Sequence, residues 1–338
     1  MVVARLSRRL DLRGLQLGRL SAPISLPVGA FLLAACVFLT IGSLMSDTFA
    51  EQTVGGLATG GVFASLALAL VLIYRATEVI NFAQGEMAMF TTFIAWQLMK
   101  WGLSYWAAFF ATLAMAFVGG ILLERIVIRP VEQASVLSVV VVTIGLVFVL
   151  QGTAAWIWGS DIKFFPSAFA TRPIHVGGVV FSIQDLGTIG VSIAAVVVLW
   201  LFFQFTKLGL AMRAAAVRPA AARLVGIRVG WMLALGWGLA AVLGAIAGLM
   251  IVPTVFLDPT SMDVVLIYAF AAAVLGGIDN PAGAVVGGLG LGVFLALLTT
   301  YVNIVTSELR LPVALGVLLV VLVVRPSGLF GRAVVRRV

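Results

Sequence analysis

Long apolar segments alternate with short charged segments along the whole chain. A membrane helix needs roughly 20 apolar residues. Stretches of about that length or longer contain no Asp, Glu, Lys or Arg at 20–46, 52–74, 101–123, 133–160, 186–206, 229–257 and 280–307. Shorter uncharged stretches at 87–99, 264–278 and 311–324 need a few flanking polar residues to cross. The pattern predicts an all-α, polytopic membrane protein with about ten transmembrane helices, or eight or nine if short segments are re-entrant.

Composition supports this prediction. The chain is 62% hydrophobic and 10% charged, which is far from the balance of a soluble domain. No stretch between the apolar segments is long enough for a soluble domain. We therefore predict one transmembrane domain over 28–326, preceded by a basic segment 1–27 and followed by a basic tail 327–338.

Basic residues predict the orientation, because cytoplasmic loops of membrane proteins are rich in Lys and Arg. With a cytoplasmic N-terminus, all but four of the 21 basic residues fall on the cytoplasmic side. The exceptions are Lys100, Lys163, Arg172 and Arg310. This arrangement places both termini in the cytoplasm and explains the net charge of +8 without nucleic acid. The crossings are 28–45, 53–74, 79–99, 102–123, 135–157, 187–205, 231–252, 264–278, 283–302 and 308–324.

The N-terminus loosely resembles a secretory leader, because Arg-rich residues 5–19 precede the apolar segment 28–45. The polar lead is longer than the usual positively charged region of a leader. We therefore predict that this segment is retained as the first crossing. The single cysteine, Cys36, lies within it and is interpreted as a small core residue.

The most informative polar positions lie in the segment Val79–Glu86, which opens the third apolar run. Asn81, Gln84 and Glu86 carry two amides and a carboxylate, and Gly85 separates the last two. An intramembrane carboxylate is costly without water, a partner or a proton, and it marks a transport pathway by default. The alternatives are that Glu86 only holds helices together and that Asn81 caps the helix of the third crossing.

A second interruption follows the eighth crossing, at Leu275–Gly283. Gly276, Gly277 and Asn280 stand there in an otherwise apolar run. Short segments broken by Gly or Pro in both halves of a membrane protein indicate a transport pathway. Five crossings per half would give the halves inverted topology, so 5+5 inverted halves are possible. The polar positions of the two interruptions fall near opposite ends of their apolar segments, so the sequence suggests such a repeat without showing it.

Two loops have predicted structure of their own. The external loop 158–186 contains a predicted β-hairpin at 173–181 around Gly177 and Gly178, and His175 on it is interpreted as a solvated strand residue. The cytoplasmic loop 206–230 predicts two short helices, because Pro219 breaks an Ala-rich run and Gly226 ends it. Its basic and small positions predict a docking site for a cytoplasmic partner, or a charged loop that only fixes topology. The positions assigned to docking are Arg213, Arg218, Ala222, Arg223 and Gly226.

The sequence carries no pattern for ATP hydrolysis or for another enzymatic reaction. Lys100, Lys163 and Lys207 do not follow glycine, as the Walker phosphate-binding loop requires. Neither a metal cluster nor a catalytic triad is recognisable, and no cofactor is predicted for this chain. Transport would therefore be driven by a partner or by an ion gradient.

Several segments together resemble the branched-chain amino acid ABC transporter permeases, and specifically the shorter of that family's two permease types. The resemblance covers roughly 53–332 in the right order. It rests on Ile80–Met87, Glu124-Arg125 through Arg129-Pro130, Thr143-Ile144-Gly145, Arg213–Ile227, Leu275–Gly283 and Arg325–Gly331.

The resemblance implies a permease of the bacterial plasma membrane that forms the translocation pathway of an importer. The implied partners are cytoplasmic ATP-binding subunits that use ATP and Mg²⁺, a second related permease subunit or another copy of this chain, and an extracytoplasmic solute-binding protein. The implied solute is a branched-chain amino acid, urea, an amide or a similar small molecule. Val217-Arg218-Pro219 departs from the family, whose coupling loop usually has an acidic residue there.

Two alternatives remain open from the sequence. One is a gradient-driven secondary transporter or channel with Glu86 as its ion or proton site. The other, an intramembrane enzyme, has no paired catalytic groups to support it.

Overall fold

A computed structural model describes residues 47–331, apart from positions 133, 171, 177, 178 and 303. The predicted basic segment 1–27, the first crossing 28–45 with Cys36, and the end of the predicted tail beyond residue 331 lie outside the described residues. The described part is mainly α-helical, which confirms the predicted class of secondary structure.

The helices follow the apolar segments closely. In chain order they are α1 (Asp47–Thr77), α2 (Gln84–Lys100), α3 (Tyr105–Leu123), α4 (Val136–Trp158), α5 (Ile183–Phe205), α6 (Lys207–Val217), α7 (Pro219–Leu224), α8 (Val229–Val255), α9 (Asp263–Gly276), α10 (Pro281–Tyr301) and α11 (Arg310–Val324). A π-helical turn (Glu124–Ile128) and a 3-10 turn (Arg129–Val131) extend α3, and a second 3-10 turn (Ser307–Leu309) precedes α11.

Among the described residues, six helices are long and apolar enough to cross a membrane: α1, α3, α4, α5, α8 and α10. Most of α1 and α8 is buried, whereas α4 and α5 are largely exposed. Exposed side chains on the outer helices are large and apolar, as Phe110, Phe148, Trp156 and Val198 illustrate. A surface of this kind suits lipid or another apolar protein face, and the chain is a multi-pass membrane protein.

Three predicted crossings are shorter in the structure than in the sequence interpretation. The crossing predicted at 79–99 is α2, which begins only at Gln84, and those predicted at 264–278 and 308–324 are α9 and α11. The predicted start at Val79 lies five residues before the observed start at Gln84, because the Asn81 side chain and backbone form a turn there rather than a helix.

Glycines allow the closest helix contacts inside this bundle. A methyl group built on Gly56 would come within 2.8 Å of the Val293 Cα, and one on Gly60 within 2.9 Å of the Leu289 Cα. The backbones of α1 and α10 therefore touch almost directly, as small residues permit in membrane helices.

The predicted loop structures are present. Strands β1 (Pro173–Val176) and β2 (Val179–Ser182) form an antiparallel hairpin in which Ile174 pairs with Phe181 and His175 with Val180. In the other loop, α6 and α7 are separated at Arg218, and Gly226 has a φ of +84° after the end of α7. The Ile227 amide donates to the Ala222 carbonyl at 3.0 Å and the Gly226 amide to the Arg223 carbonyl at 3.1 Å. This pair of bonds is a Schellman motif, so the predicted helix end at Gly226 is confirmed.

Candidate functional site

Asn81 and Gln84 form a buried hydrogen-bonded turn at the entrance to α2. The Asn81 Oδ1 accepts from the Ala83 backbone amide at 3.1 Å, and its Nδ2 donates to the Gln84 Oε1 at 3.3 Å. The Gln84 Nε2 donates to the backbone carbonyl of Ala240 at 3.0 Å. The helix N-cap is Ala83, which has no side-chain capping bond, so Asn81 shapes the turn before the helix rather than capping it.

These bonds place the start of α2 near the middle of α8. Ala240 and Gly244 lie about halfway along that 27-residue helix. A methyl group on Gly244 would come within 2.7 Å of the Gln84 Nε2, and one on Gly248 would contact Thr92. The sequence interpretation placed this segment at the end of a full crossing, whereas in the structure it lies at the middle depth of the bundle.

The first turn of α9 meets the first turn of α2 at this depth. A methyl group on Gly85 would come within 3.0 Å of the Leu266 Cβ and 3.3 Å of the Met262 carbonyl oxygen. From this junction α2 runs towards the end of α8, where the Trp96 Nε1 donates to the Phe164 carbonyl next to the Lys163–Leu257 bridge. The two helices thus start together inside the bundle.

Helix α9 runs the other way, towards the end of the bundle where α10 begins. Gly287 of α10 packs against Ala272 and Gly276 of α9. Further along α10, Gly288 packs on Ala64 of α1, and Tyr301 at the end of α10 lies beside Phe49 at the start of α1. The two short helices α2 and α9, which we call the half-length helices, therefore start at one point inside the bundle and run to its opposite ends. Such an arrangement forms solute sites in many transporters.

Glu86 lies at this junction of α2 and α9. Its side chain is 1% exposed, and it faces the carboxyl group of Asp263 and the amide of Gln151 on α4. The Gln151 Nε2 donates to the Asp263 Oδ1 at 3.0 Å. The Glu86 Oε2 has no hydrogen-bond partner among the described residues. We name Glu86, Gln151 and Asp263 the acidic centre.

Gly276, Gly277 and Asn280 lie away from the acidic centre. Gly276 is the last residue of α9 and the other two follow it, so the 14 residues of this helix separate them from Asp263 by about 20 Å. The Asn280 Oδ1 accepts from the Gly283 amide at 3.2 Å, and its Nδ2 donates to the Phe330 carbonyl at 2.9 Å. Gly277 has a φ of +104°, and a methyl group there would come within 2.6 Å of the Gly331 amide nitrogen. The structure gives these residues a close-packed joint with the C-terminal segment.

The loop residues assigned to docking lie on α6 and α7 and beside them. Arg213, Arg218 and Arg223 are exposed, whereas Ala222 is buried against Val229 and Leu233 of α8. Apolar side chains stand among the arginines with unusually high exposure. Val217 is 70% exposed, Leu224 is 90% exposed and Val225 is 76% exposed. We name Val217, Leu224 and Val225, together with the three arginines, the loop surface.

The π-helical turn after α3 is fastened to the start of α8. The Arg125 guanidinium lies 3.6 Å over the ring of Trp231. A methyl group on Gly230 would come within 3.1 Å of the Arg129 Nη2. Glu124 is buried beside these arginines, and its Oε2 has no hydrogen-bond partner among the described residues. This turn therefore forms a joint between α3 and α8 and is not part of the acidic centre.

Sequence reasoning missed Asp263 and Gln151. Both signals were present, because Asp263 immediately precedes the short apolar run 264–278 and Gln151 is an amide inside the apolar run 133–160. Their meeting with Glu86 joins residues far apart in the chain, so the sequence offered no spacing that linked them. Within the part of the chain that the structure describes, no group of three or more His, Cys, Asp or Glu residues is placed to hold a metal ion.

Comparisons with known proteins agree on one family. The model of the family described as "Branched-chain amino acid transport system / permease component" matches residues 52–323. The high-affinity branched-chain amino acid transport system permease protein LivH of Escherichia coli K12 is 30% identical over 86% of this chain and 98% of its own length. BraD of Pseudomonas aeruginosa is 31% identical over the same shares. A probable LivH of Methanocaldococcus jannaschii is 27% identical over 73% of this chain and 80% of its own.

Proposed function

Because the chain belongs to the family of branched-chain amino acid transport permeases, we propose that it is the membrane-spanning subunit of an ATP-driven importer. The solute is a branched-chain amino acid or a similar small polar organic molecule. The observation that carries this proposal is the family match over residues 52–323, which includes both half-length helices and the loop surface.

The acidic centre supports a pathway at the junction of α2 and α9. Polar side chains inside a membrane bundle are costly unless they serve a pathway or a partner. Asn81, Gln84 and Gly85 hold the start of α2 in place, and Glu86 is the pathway residue nearest to the solute. Gly276, Gly277 and Asn280 act at the far end of α9, where their close packing suits a moving joint or gate.

The loop surface supports docking of the ATP-binding subunits. Exposed Val217, Leu224 and Val225 next to Arg218 and Arg223 combine apolar contact with positive charge. Apolar anchors ringed by arginine are typical of protein interfaces. Since Val217-Arg218-Pro219 replaces the family's usual acidic position, the partner presents an acidic or apolar surface to Arg218 and Arg223. ATP and Mg²⁺ bind in that partner, and this chain contributes no catalytic residue.

The remaining features of the importer follow from topology. We propose ten crossings in 5+5 inverted halves with both termini in the cytoplasm of a bacterial cell, so that α6 and α7 face the ATP-binding subunits. The divergence of α2 and α9 from one point is the relation that inverted halves produce. The exposed apolar faces of α3, α4 and α5 contact lipid and a second permease subunit or another copy, and an extracytoplasmic binding protein delivers the solute.

Reconstitution tests the proposal. The chain is placed in proteoliposomes with the proposed partner permease, ATP-binding subunits and binding protein, and uptake of radiolabelled L-leucine is measured with and without ATP. We expect uptake only with ATP and the ATP-binding subunits. Uptake by the permeases alone, driven by an ion gradient, would contradict the proposal and favour the secondary transporter. The observation that supports this alternative is the Glu86 Oε2, which has no hydrogen-bond partner among the described residues.

A further inference from the structure

The acidic centre places two carboxyl groups side by side without a basic residue. The side chains that act on Glu86 are those of Asp263 and Gln151, and neither is basic. The Gln151 Nε2 donates to the Asp263 Oδ1 at 3.0 Å, and the same amide faces Glu86. A buried carboxylate pair of this kind binds a cation or retains a proton, because two like charges in a low-dielectric site repel each other.

The surrounding helices compensate only part of this charge. Glu86 is in the first turn of α2 and Asp263 is the first residue of α9, so each carboxylate lies at the positive end of a helix. A helix N-terminus is equivalent to roughly half an elementary charge. When both carboxyl groups are ionised, the two N-termini together leave about one negative charge uncompensated, which matches a single monovalent cation rather than a divalent one.

The acidic centre reaches the surface of the described chain on one side. Glu86 is buried, but Asp263 and Gln151 are each half-buried. The Glu86 Oε2 is within the bundle, has no partner among the described residues and lies beside these two more exposed side chains. A group that enters past Asp263 and Gln151 would find acceptor oxygens on both carboxylates.

We propose that the acidic centre binds the ammonium group of the transported solute. This inference rests on the proposed function and adds the part of the solute that the permease recognises. An ammonium group carries one positive charge and three N–H donors, so it satisfies Glu86 and Asp263 together and leaves one donor for the Gln151 Oε1. A solute without the ammonium group leaves the two carboxyl groups without their partner.

Direct binding tests this inference apart from transport. The complete permease and ATP-binding complex, without the binding protein and without ATP, is assayed for equilibrium binding of radiolabelled L-leucine in nanodiscs. Unlabelled L-leucinamide retains the ammonium group and lacks the carboxylate, whereas 2-hydroxy-4-methylpentanoate retains the carboxylate and lacks the ammonium group. We expect leucinamide to compete at least roughly tenfold better than the hydroxy acid, because removing one partner of a buried charge pair is costly.

Variants provide a second readout. Glu86→Gln and Asp263→Asn should each weaken leucine binding at least roughly tenfold, whereas Glu51→Gln on the exposed start of α1 should leave it unchanged. Equal competition by the hydroxy acid on the unaltered complex would overturn the inference, as would unchanged binding in both variants or the absence of saturable leucine binding. None of these results bears on ATP-driven uptake, which the reconstitution measures separately. The inference can therefore fail while the proposed function stands.

Discussion

Gln84 makes a hydrogen bond across the protein interior close to a glycine on the facing helix. Its Nε2 reaches the Ala240 carbonyl at 3.0 Å, and a methyl group on Gly244 would come within 2.7 Å of the same nitrogen. We predict that Gly244→Ala displaces Gln84 and leaves a buried amide unpaired, which costs about 1–3 kcal/mol.

Thermal unfolding of the purified permease, followed by tryptophan fluorescence, measures this effect. The matched control is Gly190→Ala on α5, where an added methyl group has no heavy atom within 4 Å. We expect a lower midpoint temperature for Gly244→Ala and no decrease for the control. Equal midpoints for the two variants would show that the approach of Gln84 to α8 has no energetic importance.

Asn81, Gln84 and Glu86 were predicted from the sequence, but the residues that face Glu86 were not. A carboxylate next to amides in an apolar run can be recognised in a single sequence, because the free-energy cost of placing it in a membrane depends on that run alone. Gln151 and Asp263, which face Glu86, both lie at least 65 residues after it in the chain. Only the packing of α2, α4 and α9 brings the three residues together. Gly276, Gly277 and Asn280 were grouped with Glu86 on the same grounds, yet α9 separates them from it.

Helix boundaries are the feature of the elements that the sequence predicted least well. The run 79–99 is apolar enough for a crossing, but the hydrogen bonds of Asn81 to Ala83 and Gln84 replace the first helical turn. The paired helices α6 and α7 were predicted correctly because proline and glycine act locally, through a missing amide proton and a positive φ. Helix ends that depend on a nearby proline or glycine can therefore be predicted from the sequence. The depth at which α2 starts could not, because it depends on the contact of Gln84 with α8.

The exposed end of α7 gives a prediction for coupling. Leu224 is 90% exposed in a loop surface that we assign to the ATP-binding subunit. We predict that Leu224→Asp lowers ATP-driven uptake at least roughly tenfold, because burying a carboxylate against an apolar partner costs more than 1.4 kcal/mol. Leu224→Met keeps the apolar contact and is the matched control.

Co-purification of the ATP-binding subunits with each variant separates docking from folding. We expect Leu224→Asp to give normal yields of membrane-inserted permease with little bound partner, and Leu224→Met to retain the partner. If the aspartate variant binds and transports normally, the loop surface has only a topological role.

For the whole molecule, the apolar composition and its pattern predicted more than any single motif. Apolar segments of membrane length appear as six long helices in the described residues, and the broad apolar faces of α3, α4 and α5 agree with a membrane protein. The order of burial was not predictable, because α1 and α8 are no more apolar than α4 and α5. Their central position comes from glycines that admit neighbouring backbones, such as Gly56 and Gly60 against α10 and Gly244 against α2.

In the proposed importer, solute passes the junction of α2 and α9, and ATP changes access to this junction. The sequence contains one cysteine, so Asp263→Cys in a Cys36→Ala background gives a single reactive thiol at this junction. The measurement is the labelling rate by a membrane-impermeant methanethiosulfonate reagent, compared between nucleotide-free and ATP-trapped complexes. Phe148→Cys, on an exposed apolar face of α4, is the lipid-facing control.

We predict that position 263 reacts from one side of the membrane in one nucleotide state and at least several-fold more slowly in the other, while position 148 remains unreactive. A rate at position 263 that is independent of nucleotide, or no reaction from either side, would contradict the account.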